Sequence, residues 1–241
     1  MSISFISTDR PSHVICELKY ETKIEEVTAK GFSLDIECVT DLDQSIDLVF
    51  GYLNHLGYET DEILGLAPYF GVVWPSALAL ADWVVGEGQR GQLQGKRVLE
   101  LGCGLGVPGI CAAKFGAKVV FTDYHPGVFR FLTNNLCRNG VETADLFYGS
   151  WDRLPAPLKA FDIIIASDVL YESGHATLLT QKIDDLSNDT TRVIVTDPGR
   201  AYLNEFQTLM GDANWLSSTS VINVVKDHKD HKITLMDFVR R

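Results

Sequence analysis

The turn after residue 101 constrains this chain more than any other feature. Arg97-Val98-Leu99-Glu100-Leu101 is a short apolar run of strand character that passes directly into Gly102-Cys103-Gly104-Leu105-Gly106. Pro108 follows, where a helix can open, because a proline in the first turn forfeits no intrahelical hydrogen bond. Alternate glycines let the backbone reverse tightly and approach a ligand with no Cβ in the way. The pattern then repeats downstream. Apolar runs at 97–101, 118–122, 144–148, 161–167 and 192–196 alternate with helix-period stretches at 108–115, 126–139, 175–186 and 201–210. That order predicts an α/β fold, a doubly wound, Rossmann-like and mostly parallel sheet with helices on both faces. Runs such as Ile163-Ile164-Ile165, apolar on both sides, belong in its middle.

The two ends of the chain read differently. Residues 218–226 and 232–239 are two strands around the polar turn 227–231, so the sheet is expected to finish in an antiparallel hairpin. Residues 14–20 and 33–39 alternate like exposed strands. Residues 41–56 have helical spacing, with Ile46, Val49, Phe50 and Leu53 on one face, and Thr40 with Asp43 is the expected cap. We therefore divide the chain into an α+β extension, 1–60, placed to cover the site or meet a partner, and a main domain, 61–241.

Composition narrows the function. The net charge is −11 and there is no Lys/Arg run, whereas a nucleic-acid partner calls for a basic face. A small molecule, or a protein of basic character, suits this chain better. No apolar window reaches the ~18 residues of a membrane span. Residues 1–10 lack the apolar segment of a secretory signal. The five cysteines include no Cys-x-x-Cys pair, which argues against both a disulfide framework and a zinc site. These readings point to a cytoplasmic protein with no metal.

The glycine turn can be read in two registers. From Gly104 it is Gly104-x-Gly106-x-x-Gly109, a dinucleotide fingerprint. From the strand end it is Gly102-x-Gly104-x-Gly106, with Glu100 two residues earlier. The fingerprint should begin at the strand end, which favours the second register. Glu100 favours it too, because a carboxylate would repel a pyrophosphate but attract the cationic amino group of S-adenosylmethionine. Asp123 ends the next strand, where a carboxylate can accept both hydroxyls of a ribose; a cap for the following helix is the plainer alternative. Ligands in such sheets sit beyond the carboxyl ends of the strands. Asp168 and Tyr171 follow the fourth strand, at that rim. Asp168 suits an amine acceptor and Tyr171 the wall of its channel, although Asp168 also reads as a helix cap. Trp151 follows the third strand, where an adenine could stack. Asp197-Pro198-Gly199-Arg200 follows the fifth, as a plain turn or as a wall of the acceptor pocket. The aromatic cluster 69–75 reads first as core, and His228 with His231 as a solvated hairpin rather than a metal site.

Together these residues resemble the class I S-adenosylmethionine-dependent methyltransferases, and more narrowly methyltransferase family 16, whose best-known members methylate protein lysines. The resemblance rests on Val73-Trp74-Pro75-Ser76-Ala77-Leu78, on residues 100–106, on Ser150-Trp151 and on Asp168-x-x-Tyr171. It implies a seven-stranded sheet and S-adenosylmethionine as cofactor. It also implies that Trp74, Gly102, Gly104, Asp123, Trp151 and Ser167 line the cofactor, with Glu100, Cys103 and Tyr124 counted beside them. Asp168 and Tyr171 would face an acceptor lysine, making them the candidate catalytic pair. Residues 197–200 are similar to a segment of the methyltransferases that modify the β subunit of electron transfer flavoprotein. Other readings remain open at this point. They are an acceptor that is a small molecule or another protein side chain such as histidine, a catalytically silent fold, and a nicotinamide cofactor.

Overall fold

The computed structural model describes residues 2–5, 18–154 and 161–241. Its strands are β1 (Ser2–Phe5), β2 (Thr22–Ala29), β3 (Phe32–Val39), β4 (Arg97–Leu101), β5 (Lys118–Asp123), β6 (Thr143–Tyr148), β7 (Ile163–Ser167), β8 (Arg192–Asp197), β9 (Trp215–Lys226) and β10 (Lys229–Arg240). Its helices are α1 (Leu42–His55), α2 (Thr60–Leu64), α3 (Pro75–Gln89), α4 (Val107–Lys114), α5 (Val128–Arg138), α6 (His175–Leu186) and α7 (Leu203–Asp212).

The main sheet runs β1-β6-β5-β4-β7-β8-β10-β9. Its last seven strands are the expected methyltransferase sheet, parallel from β6 to β8 and closed by the antiparallel hairpin β9–β10. β1 adds an eighth strand, parallel to β6. The order doubles back at β4, which lies between β5 and β7, so the crevice for a ligand opens there.

Side-chain alternation builds a core on each face. Val98, Phe121, Ile163, Ile165 and Ile194 pack with α3, α4, α5 and the β2–β3 hairpin. Leu99, Leu101, Ile164, Val193 and Val195 pack with α6 and α7 on the other face. These strands are continuously apolar because both faces are covered.

Several boundaries differ from the sequence reading. The partner of β3 is β2, not residues 14–20; of these, 14–17 lie outside the described residues and 18–20 form no strand. The alternation of 14–20 resembled a strand, but β2 is the segment joined to β3 by a tight turn, with Lys30 and Gly31 both at positive φ. Asp41, rather than Thr40 with Asp43, caps α1; its carboxylate accepts the Gln44 amide at 3.0 Å. The C-terminal turn is only Asp227-His228, both at positive φ, a two-residue hairpin of the kind that matches strand twist. The polar composition of 229–231 made the turn look longer.

The β2–β3 hairpin is fastened by two asparagines one turn apart, Asn135 on α5 and Asn139 at its C-cap. Asn135 Oδ1 accepts the Glu37 amide at 2.7 Å, and Asn139 Oδ1 accepts that of Asp35 at 3.0 Å. Their amide groups donate back to the carbonyls of the same two residues. A strand edge that would otherwise be open is thus paired to helix side chains. Asn135 also donates to the Leu105 carbonyl at 3.2 Å, so one fully buried side chain joins the hairpin to the glycine turn.

Candidate active site

A cavity opens at the carboxyl ends of β4, β5 and β7, walled on one side by residues 67–77. Gly102, Gly104 and Gly106 all have positive φ, at 69°, 49° and 79°. L side chains are strained in that region, which is why the turn is built from glycine. A Cβ on Gly102 would also meet Val169 Cγ1 at 2.9 Å, so the cradle admits no side chain.

Asp123 fixes this turn. Its Oδ2 accepts the Gly104 amide at 3.0 Å and its Oδ1 the His125 amide at 2.9 Å. It therefore makes a local turn after β5, and Gly127 rather than Asp123 caps α5. Each carboxylate oxygen has a further lone pair, and Asp123 lines the cavity. Burial outweighs the backbone donors and pushes its carboxyl up to about 6. His125 beside it is held neutral, because burial lowers its imidazole to about 4. Its Nδ1 accepts from the Gly127 amide, so Nε2 carries the hydrogen toward the Leu66 carbonyl, 3.0 Å away.

The side of the cavity at the end of β7 is organised by Asp168. It has φ 57°, an uncommon conformation for an L residue, and its backbone amide is tied to the Thr196 carbonyl at 2.9 Å. It caps no helix, since α6 begins after Gly174. Arg200 Nε donates to Asp168 Oδ1 at 2.7 Å, with the carboxylate nearly buried and the guanidinium about one-third exposed. Asp197 holds the turn that delivers Arg200, accepting the Gly199 and Arg200 amides at 2.7 and 2.6 Å. Residues 197–200 are thus a turn; none of them lines the cavity, and Arg200 bears on it through Asp168. Tyr171 lies across the mouth, its ring edge-on to His175 at 5.1 Å.

Of the residues expected from the sequence, Trp74, Gly102, Cys103, Gly104, Asp123, Tyr124, Trp151, Ser167, Asp168 and Tyr171 all line this one cavity. Glu100 does not. Alternation along β4 turns it to the α4 face, where it is buried and accepts the Gly109 amide at 3.1 Å. Burial pushes its carboxyl well above the usual range, and its place against α4 takes it away from a cationic group in the cavity, contrary to the role expected of it. The aromatic cluster read first as core also contributes: Tyr69, Phe70 and Trp74 are in the wall. Sequence reasoning missed His125 and His175, which carry no spacing signal, and the pairing of Arg200 with Asp168, whose strands are adjacent only in the folded sheet.

A family profile described as lysine methyltransferase matches residues 62–209. The chain belongs to the lysine methyltransferase family. Among its relatives, the protein N-lysine methyltransferase METTL21A of Danio rerio is 35% identical over 132 residues, which cover 52% of this chain and 59% of that protein. The histidine protein methyltransferase 1 homolog of Dictyostelium discoideum is 31% identical over 182 residues, covering 71% of this chain and 57% of that one. The histone-arginine methyltransferase METTL23 of Homo sapiens is 38% identical over 107 residues, covering 42% and 54%. The chain thus spans little more than half the length of these relatives. In fold it is similar to a 16S rRNA methyltransferase of T. thermophilus, with a TM-score of 0.61 at 16% identity over 93% of this chain and 52% of that one. The magnesium protoporphyrin IX methyltransferase of Synechocystis superposes with a TM-score of 0.58 at 17% identity, over 84% and 99%.

Proposed function

We propose that this lysine methyltransferase family member uses S-adenosylmethionine to methylate a lysine side chain of a protein. The observation that carries the reading is the pairing, within one cavity, of a Cβ-free glycine cradle with two carboxylates in different environments. Asp123, on the cradle side, retains lone pairs suited to a ribose diol. Gly102 and Gly104 leave room beside it, and Trp151 and Trp74 offer aromatic walls. These residues fit the cofactor. When bound, S-adenosylmethionine supplies an electrophilic methyl group on a cationic sulfur.

Asp168 and Tyr171 serve the acceptor. Methyl transfer asks a protein chiefly for alignment, so both act as hydrogen-bond acceptors that orient an amine. A lysine is protonated near neutral pH, with an unperturbed pKa of about 10.4, and an unpaired carboxylate beside it would favour the charged form further. Arg200 offsets this effect. Its guanidinium neutralises Asp168 while leaving the carboxylate in place, so Asp168 orients the amine without strongly holding its proton. The −11 charge of the chain suits a substrate of basic character.

The relatives carry names for lysine, histidine and arginine acceptors, so the test must read the side chain directly. Tritiated methyl transfer into a lysate from cells lacking the protein, with mass spectrometry of the labelled band, is expected to place the methyl on a lysine. Label on histidine or arginine would refute the acceptor assignment. Label confined to the acid-soluble fraction would refute a protein substrate. Failure to bind S-adenosylhomocysteine would refute the cofactor.

A further inference from the structure

His175 stands between two walls of the cavity. It is the first residue of α6 and lines the cavity itself. Helical side chains lean toward the N-terminus of their helix, so its imidazole folds back over the loop that leads into α6, residues 168–174. Its Nδ1 lies 2.9 Å from the Val169 carbonyl. A carbonyl can only accept, so Nδ1 carries a hydrogen and donates it there. Nε2 faces the Glu172 carboxylate at 3.4 Å. The ring sits between two others: Trp151, with centroids 5.5 Å apart, and Tyr171, edge-on at 5.1 Å.

Those two rings are held differently. Trp151 packs against the core shared with α6 and α7. Tyr171 is 39% exposed and belongs to neither core. The loop that carries it is anchored at its start, where the Asp168 amide meets the Thr196 carbonyl and the carboxylate meets Arg200. Tyr171 comes three residues later, and its ring rests on His175. An imidazole braced against a core-held indole and tied to Val169 is a fixed surface for that ring. On the methyl-transfer reading above, Trp151 walls the cofactor and Tyr171 the acceptor, so His175 spans the two. Transfer needs the nitrogen in line with the methyl carbon and the departing sulfur, and a misplacement of about 1 Å can cost about a hundredfold in rate.

We propose that His175 is a positioning residue for methyl transfer, setting Tyr171 against the core-held Trp151 and so fixing the acceptor wall relative to the cofactor wall. This rests on the methyl-transfer reading.

The test uses His175→Ala, His175→Asn, Tyr171→Phe and the His175→Asn/Tyr171→Phe double variant in the full chain. Asparagine keeps an N–H for the Val169 carbonyl but brings no ring against Tyr171. Tritiated transfer into lysate is measured at saturating S-adenosylmethionine, S-adenosylhomocysteine affinity by calorimetry, and Tm by thermal unfolding. His175→Ala is expected to lower both Tm and rate. His175→Asn should recover Tm yet still lower the rate by roughly tenfold or more, the effect of lost alignment. Its affinity for S-adenosylhomocysteine should not change, because Trp151 is held by the core; this also shows that the variant is folded. In the Tyr171→Phe background, where the hydroxyl to be placed is gone, His175→Asn should cost nothing further. A merely structural histidine would let asparagine restore rate together with Tm, and that result would overturn the inference alone. So would additive rate losses in the double variant, or S-adenosylhomocysteine affinity that falls in step with rate. No transfer by the unaltered chain would overturn the methyl-transfer reading, and the inference with it.

Discussion

Cofactor affinity should depend on pH through Asp123. In the free protein, burial holds this carboxyl at about 6. Two ribose hydroxyls donating to it would stabilise the ionised form and return it toward the ordinary ~3.9. Binding then requires loss of a proton wherever Asp123 is still protonated. With these two values, linkage makes S-adenosylhomocysteine bind about tenfold more weakly at pH 5 than at pH 7, with about 0.8 proton released per ligand at pH 5. Titration calorimetry in two buffers of different ionisation enthalpy measures both quantities. His125 does not contribute, because burial keeps its imidazole near 4. Asp123→Asn should flatten the profile and weaken binding at pH 7 by about tenfold or more, as expected for loss of a hydrogen bond to a charged group. The same shift has a stability consequence of opposite sign. A carboxyl raised from 3.8 to about 6 stabilises the free fold below pH 4 and loses that contribution as pH rises through 6. The loss is roughly 3 kcal/mol, and cofactor restores part of it. The thermal shift produced by S-adenosylhomocysteine should therefore grow between pH 5 and 7. Affinity independent of pH over this range, or proton uptake on binding, would refute the assignment of Asp123 to the ribose.

Three further outcomes follow from the packing around the site. Gly109→Ala would drive a Cβ into Glu100 Oε2 and the Phe121 ring; overpacking of this kind costs about 1–3 kcal/mol, read as a drop of roughly 3–10 °C in Tm. Arg200→Met would leave the nearly buried Asp168 carboxylate without its guanidinium; discounted for the exposure of Arg200, the cost is about 1–2 kcal/mol. Methyl transfer should fall with it, and Arg200→Lys should recover stability better than rate, because a point charge does not reproduce the guanidinium geometry. Asn135→Ala would leave the Glu37 amide and Leu105 carbonyl without their partner, at a cost of about 1–3 kcal/mol by denaturant unfolding; it should also weaken S-adenosylhomocysteine binding, because the Leu105 carbonyl belongs to the cradle.

What could be read from the sequence was what depends on local order. The glycine turn was legible because strand, glycine and proline are consecutive, and each rim residue because it follows a strand end within a few positions. Glu100 shows where this reasoning stops. Its spacing from the glycines favoured a cofactor contact, yet a strand places successive side chains on opposite faces, and β4 sends Glu100 to α4. The period-2 rule was available from the sequence. Which face held the cavity was not, because that depends on the sheet order β5-β4-β7. Asp168 and Arg200 show the same limit from the other side. Each was flagged alone, at the ends of β7 and β8, but their ion pair exists only because those strands are neighbours. The pairing changes the chemistry assigned to Asp168. A lone carboxylate would hold a lysine in its protonated form, whereas a carboxylate neutralised by a guanidinium can accept N–H bonds from a neutral amine. On the proposed lysine reading, the acceptor chemistry rests on a contact between residues 32 positions apart, and no local motif encodes it.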